Sequence, residues 1–198
     1  MLETYTLPVI LLVVAYLFGS LSSAIILCKL AGLPDPRTQG SGNPGATNVL
    51  RFGGKKLAAT VLLFDVLKGV IPVAVAHAVG LEMVWVAGTA FAAFLGHLFP
   101  VFFEFKGGKG VATALGGFIA LSPALAAAGL ATWLIIFAAT RISSLSALVA
   151  AGLTPVYSLW LIDSVNARWI ILLTALLLIA RHHGNIRRLL AKEESKSG

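Results

Sequence analysis

Long apolar stretches, separated by short polar ones, follow one another along almost the whole chain. Most of them are near the length of about 20 residues that a helix needs to cross the hydrocarbon layer of a bilayer. The pattern therefore predicts an all-α, polytopic integral membrane protein. The apolar runs are Leu7–Leu30, Leu57–Val79, Met83–Phe103, Val111–Thr140, Leu145–Ile162 and Trp169–Ala180.

The fourth run is too long for a single span and contains Ser122-Pro123 near its middle. Proline fits the first turn of a helix, and the residue before it avoids helical geometry. We expect two short helices to meet at this point, so the chain has either six or seven spans.

The distribution of basic residues decides between the two counts, because Lys and Arg near span ends concentrate on the cytoplasmic side. The loop after the first run is basic, which places this loop inside and the N-terminus outside. Only a seventh span, created by the break at Ser122-Pro123, brings Arg141 and the basic C-terminal tail inside as well. We predict seven spans in a single domain, residues 1–198. The basic residues of the first loop are Lys29, Arg37, Arg51, Lys55 and Lys56.

Composition agrees with a membrane protein: 58% of the residues are hydrophobic and 12% are charged, whereas about a quarter are charged in a soluble domain. The first run lacks the basic segment of a secretory signal peptide and exceeds its usual apolar length, so we interpret it as a span. The net charge of +7 fits contact with anionic headgroups. No module for nucleic-acid binding is present. The single Cys28 excludes an intrachain disulfide or a cysteine-based metal site.

Four polar segments fall on the cytoplasmic side of this topology, and they share one chemistry. Glycine lets backbone N–H groups turn toward a ligand, and successive N–H groups form an anion-binding concavity. Basic side chains and neutral donors complete what a phosphate site needs, which predicts more than one such site. The segments are GSGNPGATNVLR (40–51), FKGGKG (105–110), Arg141–Ser146 and RHHGNIRRLL (181–190). The candidate substrate-binding residues are Ser41, Gly42, Asn43, Gly45, Thr47, Asn48, Arg51, Lys106, Gly107, Gly108, Lys109, Gly110, Arg141 and Ser144.

A simpler interpretation is that these loops only set the topology, since Gly-rich connections between membrane helices are common and Lys and Arg hold the orientation. FKGGKG is also not a Walker A loop, because Lys109 is followed by Gly and the spacing differs. The density of Asn, Gly, Ser and Thr in GSGNPGATNVLR exceeds what topology requires, and this favours a ligand site. Gly110 precedes the helix expected from Val111, whose N-terminus would attract an anion.

Histidines and intramembrane charges add further candidates. His182 and Asn185 are three residues apart, which places both on one helical face, and histidine suits proton transfer near neutral pH. We expect His77 and His97 to be structural. Asp65 and Lys68 lie inside an apolar run at the same spacing, where unpaired charges are costly. We expect these two to pair and to support the loops.

Several of these segments resemble the motifs of the bacterial acyl-phosphate:glycerol-3-phosphate acyltransferases, the PlsY family. The resemblance begins at GSLSSA (19–24), continues to the tail, and includes DVLKG (65–69) and GHLFPVFFEFKGGKGVAT (96–113). One place departs from the family pattern Arg-x-x-Ser-Leu-x-Ser. Arg141 and Ser144 match, but Ala147 stands at the second serine position, with Ser146 beside it.

The resemblance implies transfer of a fatty acyl group from acyl phosphate to the 1-hydroxyl of sn-glycerol 3-phosphate, giving 1-acylglycerol 3-phosphate and inorganic phosphate in phospholipid synthesis. It implies no cofactor and no metal. We expect His182 and Asn185 to be the catalytic residues. We expect direct transfer without an acyl-enzyme, because no Ser-His-Asp arrangement is visible. His182 or the departing phosphate would take the proton. We expect a monomer in the bacterial cytoplasmic (inner) membrane with its active site on the cytoplasmic face.

Two other functions remain open from the sequence. A transporter of a phosphorylated metabolite would share the spans and the basic loops, but it should place polar groups along a path near the bilayer midplane. Here only Asp65 and Lys68 qualify. A lipid-phosphate phosphatase would need a nucleophile with acid–base partners, which the polar segments do not provide.

Overall fold

The structure is a computed structural model that describes residues 2–196. Within this range the chain forms α-helices, two short 3₁₀ helices and no β-strand, which confirms the all-α class. The 3₁₀ helices are Pro36–Thr38 and Val101–Phe103. The α-helices are α1 (Leu2–Gly19), α2 (Ser23–Leu30), α3 (Ala46–Ala78), α4 (Met83–Leu98), α5 (Val111–Leu121), α6 (Pro123–Thr140), α7 (Ser143–Leu161), α8 (Val165–Arg181) and α9 (His183–Leu190).

Length and apolar composition define which of these helices can cross a bilayer. Four segments qualify alone: α3, α6, α7 and Met83–Phe103, which contains α4. Two further pairs of helices qualify only if each pair is counted as one broken span. Helices α1 and α2 are bent by 41° relative to each other, and α8 and α9 by 58°. Helix α5 is shorter, with 11 residues. The described residues therefore provide four to six candidate spans, and the seven-span count stays a prediction.

The break expected in the fourth apolar run is present. Pro123 is the first residue of α6, and the Ser122 hydroxyl accepts a hydrogen bond from the Leu125 N–H at 3.3 Å, which caps this helix. The first run also divides, which was not expected from its sequence. Ser22 has an extended backbone and starts α2 after the bend.

The second span begins earlier than its apolar run indicates. Helix α3 starts at Ala46, so the segment 46–51, expected to be part of a loop, forms the first turns of a helix. Gly45 precedes it in an extended conformation, and Val49 is fully buried against α2. Of the segment 40–51, only residues 40–45 lie outside the helix. A kink at Gly54, with φ of 81°, joins this polar beginning to the apolar part of α3.

Close helix contacts hold the described bundle together. Helices α3 and α5 pack at Gly69 and Gly116, where an added Cβ would strike the opposing backbone at Thr113 and Val66 respectively. Small residues allow membrane helices to approach in this way. The outer faces instead carry exposed large apolar side chains, such as Trp160 at 75% exposure, as a lipid-facing surface requires.

The expected pairing of the intramembrane charges is confirmed. Lys68 Nζ forms an ion pair with Asp65 Oδ1 at 2.9 Å and donates a hydrogen bond to the Leu21 carbonyl at 3.0 Å. His97 Nδ1 lies 3.6 Å from the same carboxylate. The cluster connects α3 and α4 to the bend between α1 and α2. His77 donates from Nδ1 to the Ala120 carbonyl at 3.1 Å, which gives it a structural contact as well.

Candidate active site

A cavity of about 790 Å³ lies between the helices, and its two ends differ in chemistry. One end is lined by apolar side chains of α6 and α7, and the other by polar segments that are far apart in sequence. Helices α3, α5, α8 and α9 complete its wall. The predicted residues that line it are Ser41, Asn43, Gly45, Thr47, Asn48, Arg51, Lys109, Gly110, Ser144, His182 and Asn185.

Asn48 organises the loop 40–45 at the polar end. Its Oδ1 accepts from the Ser41 N–H at 2.9 Å, and its Nδ2 donates to the carbonyls of Pro36 and Gln39, each at 2.9 Å. The same Oδ1 occupies the space that a side chain at Gly40 would need, and Gly40 has φ of 53°. Asn48 is buried and its amide is committed to the loop, so it positions this part of the site.

The loop before α5 is held by Arg181 and presents Lys109. The Arg181 guanidinium donates to the Gly107 carbonyl at 3.0 Å and to the Gly108 carbonyl at 3.1 and 3.2 Å. The Gly108 N–H donates to the His97 carbonyl at 3.1 Å, which connects the loop to the buried cluster. Gly110 then adopts φ of 81° and precedes α5, at the position expected from the sequence.

Lys109 is largely removed from water but keeps a polar partner. Its Nζ donates to Asn185 Oδ1 at 2.6 Å, which joins the loop to α9. Burial lowers the pKa of Lys109 to about 8, although the Glu194 carboxylate acts in the opposite direction. The side chain is therefore cationic at neutral pH and close to its titration range.

His182 lies at the bend between α8 and α9. Its Nδ1 contacts the Leu178 carbonyl at 2.8 Å, and since a carbonyl only accepts, Nδ1 must carry the proton. In this tautomer Nε2 is the basic nitrogen of the ring. His182 and Asn185 are both buried and line the same cavity, as their spacing predicted.

Five predicted residues do not line the cavity. Lys106 is exposed and pairs with Glu104 at 2.7 Å, while Arg141 ends α6 in an exposed left-handed conformation with φ of 60°. Gly42, Gly107 and Gly108 lie in the loops but away from the cavity wall. The carbonyls of Gly107 and Gly108 accept hydrogen bonds from Arg181, and the Gly108 N–H donates to the His97 carbonyl. Substrate binding by these glycines stays a prediction.

Arg188 and Glu194 were missed from the sequence, and both line the cavity. The Glu194 carboxylate accepts hydrogen bonds from Ser144 Oγ at 2.7 Å, Asn185 Nδ2 at 2.6 Å and Arg188 Nε at 2.6 Å. Burial raises the pKa of Glu194, but these hydrogen bonds outweigh it, and the net pKa is lowered. Arg188 could have been found, because it lies three residues after Asn185 on the same face of α9. No pattern in the sequence distinguishes Glu194.

No group of three or more His, Cys, Asp or Glu side chains within residues 2–196 is placed to hold a metal ion. The arrangement offers a cationic lysine, guanidinium groups, hydroxyls and an amide at one end of an apolar cavity. Such donors suit an anionic head on an apolar molecule.

Comparison with known proteins identifies the family. Residues 9–192 match the family model described as glycerol-3-phosphate acyltransferase. The chain belongs to this family. The glycerol-3-phosphate acyltransferase of Thioalkalivibrio sulfidiphilus is 61% identical over 93% of this chain and 91% of the relative. That of Shewanella sediminis is 51% identical over 98% and 96%.

Solved structures agree with the family assignment. A crystal structure of PlsY, an integral membrane glycerol 3-phosphate acyltransferase in its glycerol 3-phosphate form, superposes with a TM-score of 0.92. It is 41% identical, and the match covers 96% of both chains. The lysophosphatidic acid form gives a TM-score of 0.89 at 40% identity over 96% of this chain and 95% of that one. The family expected from the motifs is confirmed, and this chain is an all-helical member of an integral membrane acyltransferase family of phospholipid synthesis.

Proposed function

We propose that this protein transfers a fatty acyl group from acyl phosphate to the 1-hydroxyl of sn-glycerol 3-phosphate. The products are 1-acylglycerol 3-phosphate and inorganic phosphate. The observation that carries the proposal is the cavity, in which phosphate-binding groups adjoin an apolar passage between helices. Solved relatives that hold glycerol 3-phosphate or lysophosphatidic acid support the acceptor and the product.

The two ends of the cavity match the two parts of an acyl phosphate. Arg51, Lys109 and Ser144 line the polar end, where they can donate to phosphate oxygens. Leu130 and Trp133 line the apolar end, which suits a fatty acyl chain that stays among the helices. A donor bound in this way has its carbonyl carbon at the boundary between the two environments.

The proposed reaction is a direct transfer. The glycerol oxygen attacks the acyl carbonyl carbon, a new ester C–O bond forms, and the bond between that carbon and the phosphate oxygen breaks. The proton of the glycerol hydroxyl passes to Nε2 of His182 or to the departing phosphate. Lys109, held by Asn185, stabilises the charge that develops on the phosphate, and fixed cations of this kind supply a large part of catalysis in a dry site.

A covalent acyl-enzyme is not part of the proposal. Ser144 is the hydroxyl considered as a nucleophile, and no hydrogen bond joins it to the His182 ring among the described residues. His182 uses Nδ1 on its own helix, and Nε2 is left for the acceptor substrate. Acyl phosphate is already activated by its leaving group, so we propose that positioning and charge stabilisation suffice, with no metal or cofactor.

We also propose the topology and location. The two bent pairs and α5, added to the four long spans, give seven crossings, with the N-terminus outside and the C-terminus inside. The polar end of the cavity then faces the cytoplasm, and the enzyme lies in the inner membrane as a functional monomer. The location of Lys55 and Arg188 beside this end agrees with the concentration of basic residues on the cytoplasmic side.

The decisive experiment supplies purified protein with palmitoyl phosphate and glycerol 3-phosphate and measures phosphate release together with lysophosphatidic acid. We expect release to depend on both substrates and to equal the product formed. A transporter would give no release and would instead exchange a phosphorylated metabolite across vesicles. Asp65 lines the cavity, but Lys68 neutralises its charge at 2.9 Å, which disfavours a transport path.

A further inference from the structure

The C-terminal tail, residues 191–196, returns to the cavity and places a carboxylate at its polar end. Three side chains from α7 and α9 donate to this carboxylate, namely Ser144, Asn185 and Arg188. The Glu194 side chain is only 8% exposed, although the tail that carries it follows the last helix and is otherwise mostly at the surface. An acidic side chain is rarely buried unless it is paired in this way.

The neighbouring tail residue makes a second contact with the site. Arg51 Nη2 donates to the Ser195 hydroxyl at 2.8 Å, and this contact is made by α3, a different helix from those that contact Glu194. Two consecutive tail residues therefore reach α3 on one side and α7 with α9 on the other. The groups that they touch are Arg51 and Ser144, two of the predicted substrate-binding residues, and Asn185, a predicted catalytic residue.

The chemistry of the contacts explains why a carboxylate fits here. Carboxylate and phosphate groups are both anionic and both accept charge-assisted hydrogen bonds through oxygens about 2.6–2.9 Å from the donor. Donors arranged for one can serve the other, and the guanidinium of Arg188 suits both. A donor atom that is bound to Glu194 is not available in the same geometry to a substrate phosphate.

We propose that the C-terminal tail competes with substrate for the phosphate site. The two carboxylate oxygens of Glu194 occupy the positions that two oxygens of a substrate phosphate would take. The tail leaves before a phosphorylated substrate binds, and Arg188 then becomes a phosphate ligand. This inference rests on the proposed function only in taking a phosphorylated molecule as the natural ligand. It gives the enzyme a built-in resistance to occupation of its site by dilute phosphate.

The size of the effect follows from the fraction of time that the tail occupies the site. The apparent affinity of a ligand falls by the fraction of protein that is competent to bind it. A tail bound for about nine-tenths of the time therefore raises the apparent Kd about tenfold. Removing the carboxylate should recover that factor without any change in the substrate's own contacts.

The test measures binding of inorganic phosphate and of glycerol 3-phosphate to the full-length protein in detergent, by isothermal titration calorimetry. We expect Glu194→Ala to bind both ligands several-fold to about tenfold more tightly. Glu193→Ala is the matched control, because it removes the same charge from an adjacent, exposed residue that also borders the cavity but whose carboxylate makes none of the contacts of Glu194. It should tighten binding far less.

A double-mutant comparison tests the role of Arg188. In the wild type, Arg188→Ala removes a phosphate ligand and also weakens the competitor, so binding should change little. In the Glu194→Ala background only the first effect remains, and the same substitution should weaken phosphate binding markedly. This difference between backgrounds is the signature of competition for one site.

Three results would overturn the proposal. Equal tightening by Glu194→Ala and Glu193→Ala would show a general charge effect. Weaker phosphate binding by Glu194→Ala would show that the tail supports the site instead of blocking it. Unchanged binding with lost turnover would make Glu194 a participant in the chemistry. The binding test does not depend on the acyl-transfer assay. If Glu194→Ala tightens phosphate binding but the protein transfers no acyl group, the proposed function is wrong and the competition by the tail still holds.

Discussion

In the proposed function Lys109 must be charged in order to hold a phosphate, but its side chain is mostly buried, which disfavours the charge. Burial lowers its pKa to about 8, and the Asn185 amide oxygen is its hydrogen-bond acceptor at 2.6 Å. The charged form dominates below that pKa and disappears as the pH rises through it. An exposed lysine would keep its charge to about pH 10.

This predicts a loss of catalytic efficiency at moderately alkaline pH. Above neutral pH a phosphate monoester is already doubly ionised, so the titration of the enzyme decides the profile. We expect kcat/KM for glycerol 3-phosphate to fall by about tenfold for each pH unit beyond about 8, since this parameter reports the free enzyme. The Lys109→Arg variant keeps its charge, and its profile should stay flat through the same range even if its absolute rate is lower. A wild-type profile without this fall would show that the charge of Lys109 is not required.

For single residues, the sequence indicated which residues belong to the candidate site better than it indicated what each of them does there. Arg51, Lys109 and His182 could be chosen because cations and a histidine in glycine-rich segments point to phosphate chemistry. The role of Asn48 could not be predicted, since its amide is consumed by backbone groups of residues 36–41 whose position depends on the folded loop. Glu194 was inaccessible for a similar reason, because its partners are up to 50 residues away.

Arg181 connects two elements at the polar end of the cavity. It is the last residue of α8, and its guanidinium donates hydrogen bonds to the carbonyls of Gly107 and Gly108 in the loop before α5. Its guanidinium also lies 5.5 Å from the centre of the Phe99 ring, which fixes its plane. Since Lys109 follows these glycines directly, Arg181 determines where the Lys109 ammonium stands without lining the cavity itself.

The second prediction treats Arg181 as a positioning residue. Arg181→Ala should release the loop, misplace Lys109 and lower kcat/KM for glycerol 3-phosphate by between about 10-fold and 100-fold, the range of a small misplacement. The loss should appear in KM as well as in kcat, while helix content by circular dichroism stays unchanged. Arg181→Lys should recover part of the activity, because it restores one donor of the fork.

A nearby arginine provides the control for charge. Arg187 is exposed on α9, and Arg187→Ala removes an equal charge without touching the loop. Its kinetics should be close to those of the wild type. Equal losses in Arg181→Ala and Arg187→Ala would mean that both act through membrane-surface charge and would contradict the positioning role.

Helix boundaries show where sequence patterns carry information and where they do not. The break at Ser122-Pro123 was predictable because proline excludes a helical residue before it. The bend after Gly19 and the kink at Gly54 contain no proline and were missed. The start of α3 at Ala46 was missed because its first turns are polar, and the apolar run alone marked the expected span.

At the scale of the whole molecule, the polar segments converge from four parts of the chain while the exterior stays apolar. The start of α3, the loop before α5, the start of α7 and the bend before α9 all line one end of one cavity. The sequence predicted that these segments share a side of the membrane. It could not predict which residues reach the cavity, because this depends on helix rotation and on close approaches such as that of α3 and α5 at Gly69.

The last prediction tests the orientation that this convergence implies. Single cysteines are introduced at exposed positions and treated with a membrane-impermeant thiol reagent, in intact spheroplasts and after opening the membrane. The native Cys28 is buried, so it should not react with the reagent.

Asp163→Cys should react in intact spheroplasts, whereas Lys56→Cys and Lys196→Cys should react only after the membrane is opened. Seven crossings place six spans between positions 56 and 196, so both lie inside. If α5 and α6 formed one span, only five would separate them, and the two cysteines would label from opposite sides. That outcome would refute the seven-span topology and would put Arg51 and Lys109 on the opposite face of the membrane from the tail and α9, which the contacts of Arg51 with Ser195 and of Lys109 with Asn185 forbid.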